Sequence, residues 1–116
     1  MKLTNEQRIA ICRILLDVVN EVGEDVSLIR SRHYPALQEK AQLTDGDFCA
    51  ASQVTVLASI TLVKDIHYKL KMLMGLTVFE LYSQCKEVTL QQRVTFGILM
   101  NAIDWPISFS EISTLP

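Results

Sequence analysis

A helix-start signal occurs three times in this chain, each time directly before apolar residues at helical spacing. In this signal, the capping box, a threonine hydroxyl accepts the amide of the residue three positions on, whose own side chain returns to the threonine N–H. The three pairs are Thr4 with Gln7, Thr44 with Asp47, and Thr89 with Gln92. The sequence therefore predicts helices that begin at three separate points along the chain.

Apolar side chains recur three and four residues apart through most of the chain. The first predicted helix covers 5–22, and the second covers 27–43. Pro35 divides the second helix into two short pieces, because proline removes a helical hydrogen bond. A fourth helix over 65–85 has a wide apolar face, and Thr89 opens a fifth. The predicted apolar face of the fifth helix runs through Leu90, Val94, Ile98 and Ala102 and the adjacent Phe96, Leu99 and Ile103.

The third segment, 47–63, is ambiguous between helix and strand. From Val54 to Val63 the residues alternate well enough for a strand, and valine, threonine and isoleucine favour strands. A lone strand has nothing to pair with, however, and no hairpin signal separates alternating runs. We therefore predict one buried helix over 47–63.

Composition limits the fold and the class of partner. With 116 residues, of which 49% are hydrophobic and 21% charged, the chain suits one domain with one buried core. Four glycines and three prolines are too few for a turn-rich β protein. We predict an all-α fold over 1–116, a compact bundle of about five helices. A net charge of −2 offers no field for a phosphate backbone, so no nucleic-acid partner is expected.

The two halves of the chain are similar to each other. The stretch around Ser27 matches the stretch around Thr89, 62 positions later. The halves, about 5–43 and 65–105, each read as a long helix, a polar turn and a capped shorter helix, and the third segment joins the two pairs. We predict a weak internal repeat with equivalent helix caps at Ser27 and Thr89. A second predicted pair of corresponding positions, where the helix is weakened, is Pro35 and Gly97.

The two polar turns carry a family resemblance. Gly23-Glu24-Asp25-Val26-Ser27 and Lys86-Glu87-Val88-Thr89 resemble the turns of the tellurite-resistance TerB-like family of small all-helical domains, which hold an Asp-Gly pair, a capping residue and then a glutamate. The resemblance implies an all-helical fold that covers most of the chain. Arg30 and Gln92 stand where the family has glutamate, and this departure weakens the implied metal binding that some members show.

An acidic cluster near the first turn is the sharpest candidate for a site. Its members are Asp17, Glu21, Glu24 and Asp25. Carboxylates suit a hard cation such as Ca²⁺ or Mg²⁺, but the spacing is not that of an EF-hand, so a solvated helix face is the simpler interpretation. Arg13, four residues before Asp17, is predicted to pair with it on that face. The alternative hypothesis is a divalent cation bound by Glu21, Glu24 and Asp25, and no other cofactor is predicted.

No pattern in the sequence assembles a catalytic site. Cys12, Cys49 and Cys85 form no Cys-x-x-Cys pair and have apolar neighbours, which favours buried, unreactive thiols. His33 and His67 lack a metal-binding or catalytic companion at helical spacing. We therefore predict that the protein is not an enzyme.

The function that fits these observations is a non-catalytic protein-interaction or scaffold module resembling TerB-like domains. Its apolar content is high enough to leave one hydrophobic face for a protein partner, or for a second copy in a homodimer. Charges interrupt every apolar stretch before membrane-spanning length, and the first residues lack the apolar core of a signal peptide. We therefore expect no membrane span and a cytoplasmic location.

Overall fold

The structure is a computed structural model that describes residues 2–22, 27–84 and 89–104. In these residues it contains six α-helices and a single 3-10 turn, and no strand, which confirms the all-α prediction. The elements are α1 (Asn5–Val22), the 3-10 turn (Leu28–Arg30), α2 (Tyr34–Ala41), α3 (Asp45–Ala51), α4 (Val56–Val63), α5 (Tyr68–Ser83) and α6 (Leu90–Ala102).

All three capping boxes form. At the start of α1 the Thr4 amide donates to Gln7 Oε1 at 3.0 Å, and the Gln7 amide donates to Thr4 Oγ1 at 3.1 Å. Thr44 and Asp47 make the same reciprocal pair at the start of α3, and so do Thr89 and Gln92 at the start of α6. Each box satisfies amides that the first helical turn leaves without a partner. The three predicted helix starts are confirmed.

The second and third predicted segments are each divided in two. Pro35 lies in the first turn of α2, where its missing N–H costs nothing, and the 3-10 turn precedes that helix, as predicted. The third segment is a helix rather than a strand, but the prediction of one continuous helix is wrong. The chain breaks after α3 because Thr55 begins a new helix, its Oγ1 accepting the Ala58 amide at 3.1 Å. This break gives six helices where about five were predicted.

The core is built around α1 and α5. Helix α1 packs against α3, α4 and α5, whereas α2 and α6 each pack principally on α5. Large side chains with almost no exposed surface fill the space between these helices. They include Ile11, Leu15, Leu37, Leu70, Met74, Leu81, Tyr82 and Phe96.

The core uses only one edge of the wide apolar face predicted for α6. The structure buries Phe96 and Ile103 of that face, together with Met100, and leaves Leu90, Val94 and Ile98 exposed. The physical reason is an aromatic contact, since the Phe96 ring meets Phe79 and Tyr82 of α5 edge-on, with centroids 6.4 and 6.2 Å apart. The stripe of Leu90, Val94, Ile98 and Ala102 therefore lies off the core.

The caps that the internal repeat requires are present at both Ser27 and Thr89. Ser27 caps only the 3-10 turn, its Oγ accepting the Ile29 amide at 3.2 Å, whereas Thr89 has the complete box. The predicted correspondence between Pro35 and Gly97 is wrong, because Pro35 lies in the first turn of α2 while α6 runs unbroken through Gly97. The repeat itself stays a prediction.

Candidate functional site

An apolar groove of about 180 Å³ lies between α1, α4 and α6. Each of the three helices contributes two apolar side chains that are four residues apart, which places them on one face of their helix. These wall residues are Ile14 and Val18 of α1, Val56 and Ile60 of α4, and Ile98 and Ala102 of α6. Tyr82 of α5, which is buried, and Thr95 and Leu99 of α6 also line the groove. The groove thus exists because α4 and α6 both pack near α1 without closing over it.

The apolar surface continues outside the groove along α6. Leu90, Val94 and Ile98, here called the α6 row, are 78%, 52% and 65% exposed. Because they are spaced by four residues, they lie along one edge of the helix, and Ile98 belongs to both the row and the groove. Leu57 of α4, next to Val56 in the chain, is 76% exposed. Large apolar side chains that cluster in this way mark interaction surfaces more often than isolated ones do.

Two carboxylates of α1 also line the groove. Asp17 and Glu21, here called the acidic rim, are exposed residues one helical turn apart. Within the described part of the chain neither of them is ion-paired, so the predicted pairing of Arg13 with Asp17 is wrong. The acidic rim is therefore available to a cation from outside.

Tyr82 connects the acidic rim to the core. Its hydroxyl donates to Glu21 Oε2 at 3.3 Å. Burial raises the pKa of Tyr82 well above its ordinary value, and the nearby charges of Glu21 and Asp17 raise it further. The phenol therefore stays protonated and keeps donating to the carboxylate at any physiological pH.

The predicted metal ligands are only partly within the described residues. Glu21 lies in the last turn of α1 and accepts the Tyr82 hydroxyl, whereas Glu24 and Asp25 lie outside the described residues. Across 2–22, 27–84 and 89–104, no three His, Cys, Asp or Glu side chains are grouped so that they could hold a metal ion. The metal hypothesis stays a prediction.

A side-chain amide joins the end of α5 to the start of the 3-10 turn. Gln84 Oε1 accepts the Ser27 amide at 2.8 Å, and Gln84 Nε2 donates to the Ser27 carbonyl at 2.9 Å. The side-chain amide of Gln84 therefore satisfies both the backbone N–H and the backbone carbonyl of Ser27. This contact fixes the chain beside the end of the groove that Glu21 and Tyr82 line.

His33, which has no companion in the sequence, is paired in space with Glu80 of α5. Its Nδ1 lies 2.9 Å from Glu80 Oε2, and its backbone N–H donates to Oε1 at 2.9 Å. Ser31 Oγ donates to the same Oε1 at 2.7 Å. Burial by itself raises the pKa of Glu80, but the hydrogen bonds from Ser31 and His33 outweigh it, so the pKa lies below its ordinary value.

This network fastens a loop and does not form a nucleophile site. The Ser31 hydroxyl donates to the carboxylate instead of to an imidazole, so no base activates it. His33 is the residue before α2, and Glu80 thereby fixes the entry to that helix against α5. Sequence reasoning missed Glu80 because the two partners are 47 residues apart.

The remaining reactive side chains have structural roles or stand alone. Burial, and then the charge of Asp47, raises the pKa of Cys12 to about 12, so it stays a thiol. Cys49 is exposed, and Cys85 lies outside the described residues. His67 caps α5, its Nδ1 accepting the Lys69 amide at 3.1 Å.

A second, larger depression of about 500 Å³ has a mostly polar lining. Lys2, Leu3, Lys40 and Gln42 line it. Its two lysines and Gln42 are exposed, and Leu3 is its one hydrophobic lining residue. The smaller groove is the better candidate binding site, because its walls are apolar and its charged groups lie along one edge.

Comparison with family models, with curated proteins and with solved structures gives no match to this chain. The TerB-like resemblance therefore continues to depend on the two turns, of which only Ser27 and Thr89 are described. Among the described residues, no helix is both long enough and apolar enough to cross a bilayer.

Proposed function

We propose that this protein is a non-catalytic interaction or scaffold module that binds a protein partner in the groove between α1, α4 and α6. The observation that carries the proposal is the α6 row, three large apolar side chains in water on a helix whose opposite face already fills the core. Keeping such a row exposed lowers solubility, and covering it with a partner removes apolar surface from water. The TerB-like resemblance and a cytoplasmic location are parts of the same proposal.

The chemistry of the described residues supports a binding role. The serine, histidine and carboxylate that come together at Ser31, His33 and Glu80 are used to fasten a loop. The buried thiol of Cys12 stays protonated. Neither arrangement offers an activated nucleophile beside a pocket, which is what catalysis of group transfer needs.

Site-specific photo-crosslinking in the native host tests the proposal. Benzoylphenylalanine is introduced at Ile98 and at Leu57, with Glu39, an exposed residue of α2, as the matched control position. We expect Ile98, which lines the groove, and Leu57, which follows the groove residue Val56, to give an adduct with the same protein, mapped by mass spectrometry to one segment of it, and Glu39 to give none. Equal labelling from all three positions, or no adduct at the groove, contradicts the proposal.

A further inference from the structure

We propose that the partner segment is an amphipathic helix that carries lysine or arginine along one edge of its apolar stripe. This inference rests on the proposed function and adds the chemistry of the occupant. It follows from three features of the groove: its size, the spacing of its walls and the charge of its rim.

The size favours side chains over a free ligand. Small-molecule pockets commonly enclose roughly 300–1,000 Å³, and this groove, at about 180 Å³, is smaller. Ile98, which lines the groove, is 65% exposed, so the groove reaches the surface there and a longer body can lie across it while inserting a few side chains. A partner polypeptide fits this shape better than a compact metabolite does.

The wall spacing favours a helix. The partly exposed walls carry apolar pairs four residues apart, Val56 with Ile60 on α4 and Ile98 with Ala102 on α6, and the buried Ile14 and Val18 of α1 form a floor with the same spacing. Helices pack by placing the four-residue ridges of one into the grooves between the ridges of another. A fourth helix with apolar residues three and four apart therefore meets each wall in the same way as a helix of the bundle would.

The charge of the acidic rim determines which edge of the partner helix carries the basic residues. Asp17 and Glu21 alternate with Ile14 and Val18 along α1, so the acidic rim runs directly beside one apolar wall. Within the described residues neither carboxylate has a cation partner. A helix seated in the groove excludes water there, and a lysine or arginine on its near edge then satisfies the two carboxylates.

Two other occupants fit the charge less well. In a symmetric dimer whose two-fold axis passes through the groove, the acidic rims of the two copies would meet as like charges. The residues that follow α6, 105–116, carry Glu111 and no lysine or arginine, and so offer nothing to the rim. Both occupants are outcomes of the test below.

Designed peptides test the charge directly. Two helical peptides of about five turns share one leucine stripe and differ only at the flanking positions, lysine in one and glutamate in the other. Fluorescence anisotropy measures their affinity for the full chain at low and at physiological salt. We expect the lysine peptide to bind at least about tenfold more tightly, with the difference shrinking as salt is added.

Variants show where the peptide binds. The double substitution Asp17→Asn and Glu21→Gln is expected to abolish the preference for lysine, whereas Glu39→Gln on α2 leaves it unchanged. Ile98→Asp is expected to weaken both peptides by more than about tenfold, because it places a charge in the apolar wall. Circular dichroism of each variant confirms that the helices are intact.

The possible failures are distinguishable. Equal affinity for both peptides, or no binding of either, overturns the inference about a basic helix, while crosslinks from Ile98 to a partner would still support the proposed function. A dimer that competes with the lysine peptide in sedimentation assigns the groove to a second copy. Tighter peptide binding after Trp105→Ala or Phe109→Ser in the full chain assigns it to 105–116. Absence of both crosslinks and peptide binding overturns both proposals.

Discussion

Replacing Ile98 and Phe96 of α6 with alanine, one at a time, tests which face of this helix is in the core. The two residues are two positions apart and have similar helix propensities, so alanine changes the helix itself by a similar small amount in both variants. Ile98 is 65% exposed, whereas Phe96 is fully buried. The pair therefore compares a buried and an exposed apolar side chain on the same helix.

The magnitudes follow from these exposures. Burying an isoleucine side chain completely is worth about 1.5–3 kcal/mol, and Ile98 buries only about a third of its surface, so its truncation removes about 0.5–1 kcal/mol. The better helix propensity of alanine offsets this loss by roughly 0.4 kcal/mol. We expect Ile98→Ala to lower the free energy of unfolding by less than about 1 kcal/mol. Phe96→Ala, which leaves a cavity against Phe79 and Tyr82, is expected to lower it by about 3–5 kcal/mol.

Urea unfolding followed by far-UV circular dichroism measures both values by linear extrapolation. The refuting result is a loss of about 2 kcal/mol or more for Ile98→Ala together with less than about 1 kcal/mol for Phe96→Ala. That pattern would place Leu90, Val94 and Ile98 in the core and would remove the α6 row from the surface.

Three further predictions concern caps, pH and metal. Thr89→Ala is expected to lower the free energy of unfolding by about 1 kcal/mol, because the hydroxyl that accepts the Gln92 amide is lost. Urea titration measures this loss, and Thr89→Ser, which keeps the cap, is the control. The pKa of Glu80 is lower in the folded than in the unfolded chain, so its stabilising contribution is present above the unfolded value of about 4.3 and disappears as the pH falls through the folded value. The difference in unfolding free energy between the wild type and Glu80→Gln, followed from pH 7 to 3, should therefore shrink on acidification, and a constant difference would contradict the assigned network. Calorimetry with Ca²⁺ and Mg²⁺ should give no saturable heat, and binding that Glu21→Gln abolishes would establish the metal hypothesis instead.

The parts of the fold that the sequence predicted correctly are governed by local interactions. A capping box involves two side chains three residues apart, so Thr44 and Asp47 indicate the start of α3 independently of the rest of the chain. Pro35 acts in the same local way on the entry to α2. Helix content and most helix starts follow from such neighbours.

The parts that the sequence did not predict depend on partners far along the chain. Both the row through Val94 and the face through Phe96 have helical spacing and apolar side chains, so periodicity cannot choose between them. The choice is made by Phe79 and Tyr82, which α5 brings against Phe96. The groove is a consequence of that choice, and the sequence therefore indicated surplus apolar surface without locating it.

The same limit applies to the charged groups. Asp17 and Glu21 were identified as an acidic cluster, but their relation to an apolar wall depends on how α4 and α6 pack near α1. The sequence did not predict the hydrogen bonds of Glu80, because its partners Ser31 and His33 lie in a different part of the chain. In each case the residue type was visible and its environment was not.

Hydrogen exchange of the full chain, with and without the partner segment identified by crosslinking, tests the central claim most directly. Helix α6 packs principally on α5 and exposes Leu90, Val94 and Ile98, so we expect its amides to gain protection when a partner covers that side. We predict that binding slows exchange in α6 and α4 and leaves α2 unchanged. Slowed exchange confined to α2, or no change in α6, would contradict the assignment of the groove between α1, α4 and α6 as the binding site.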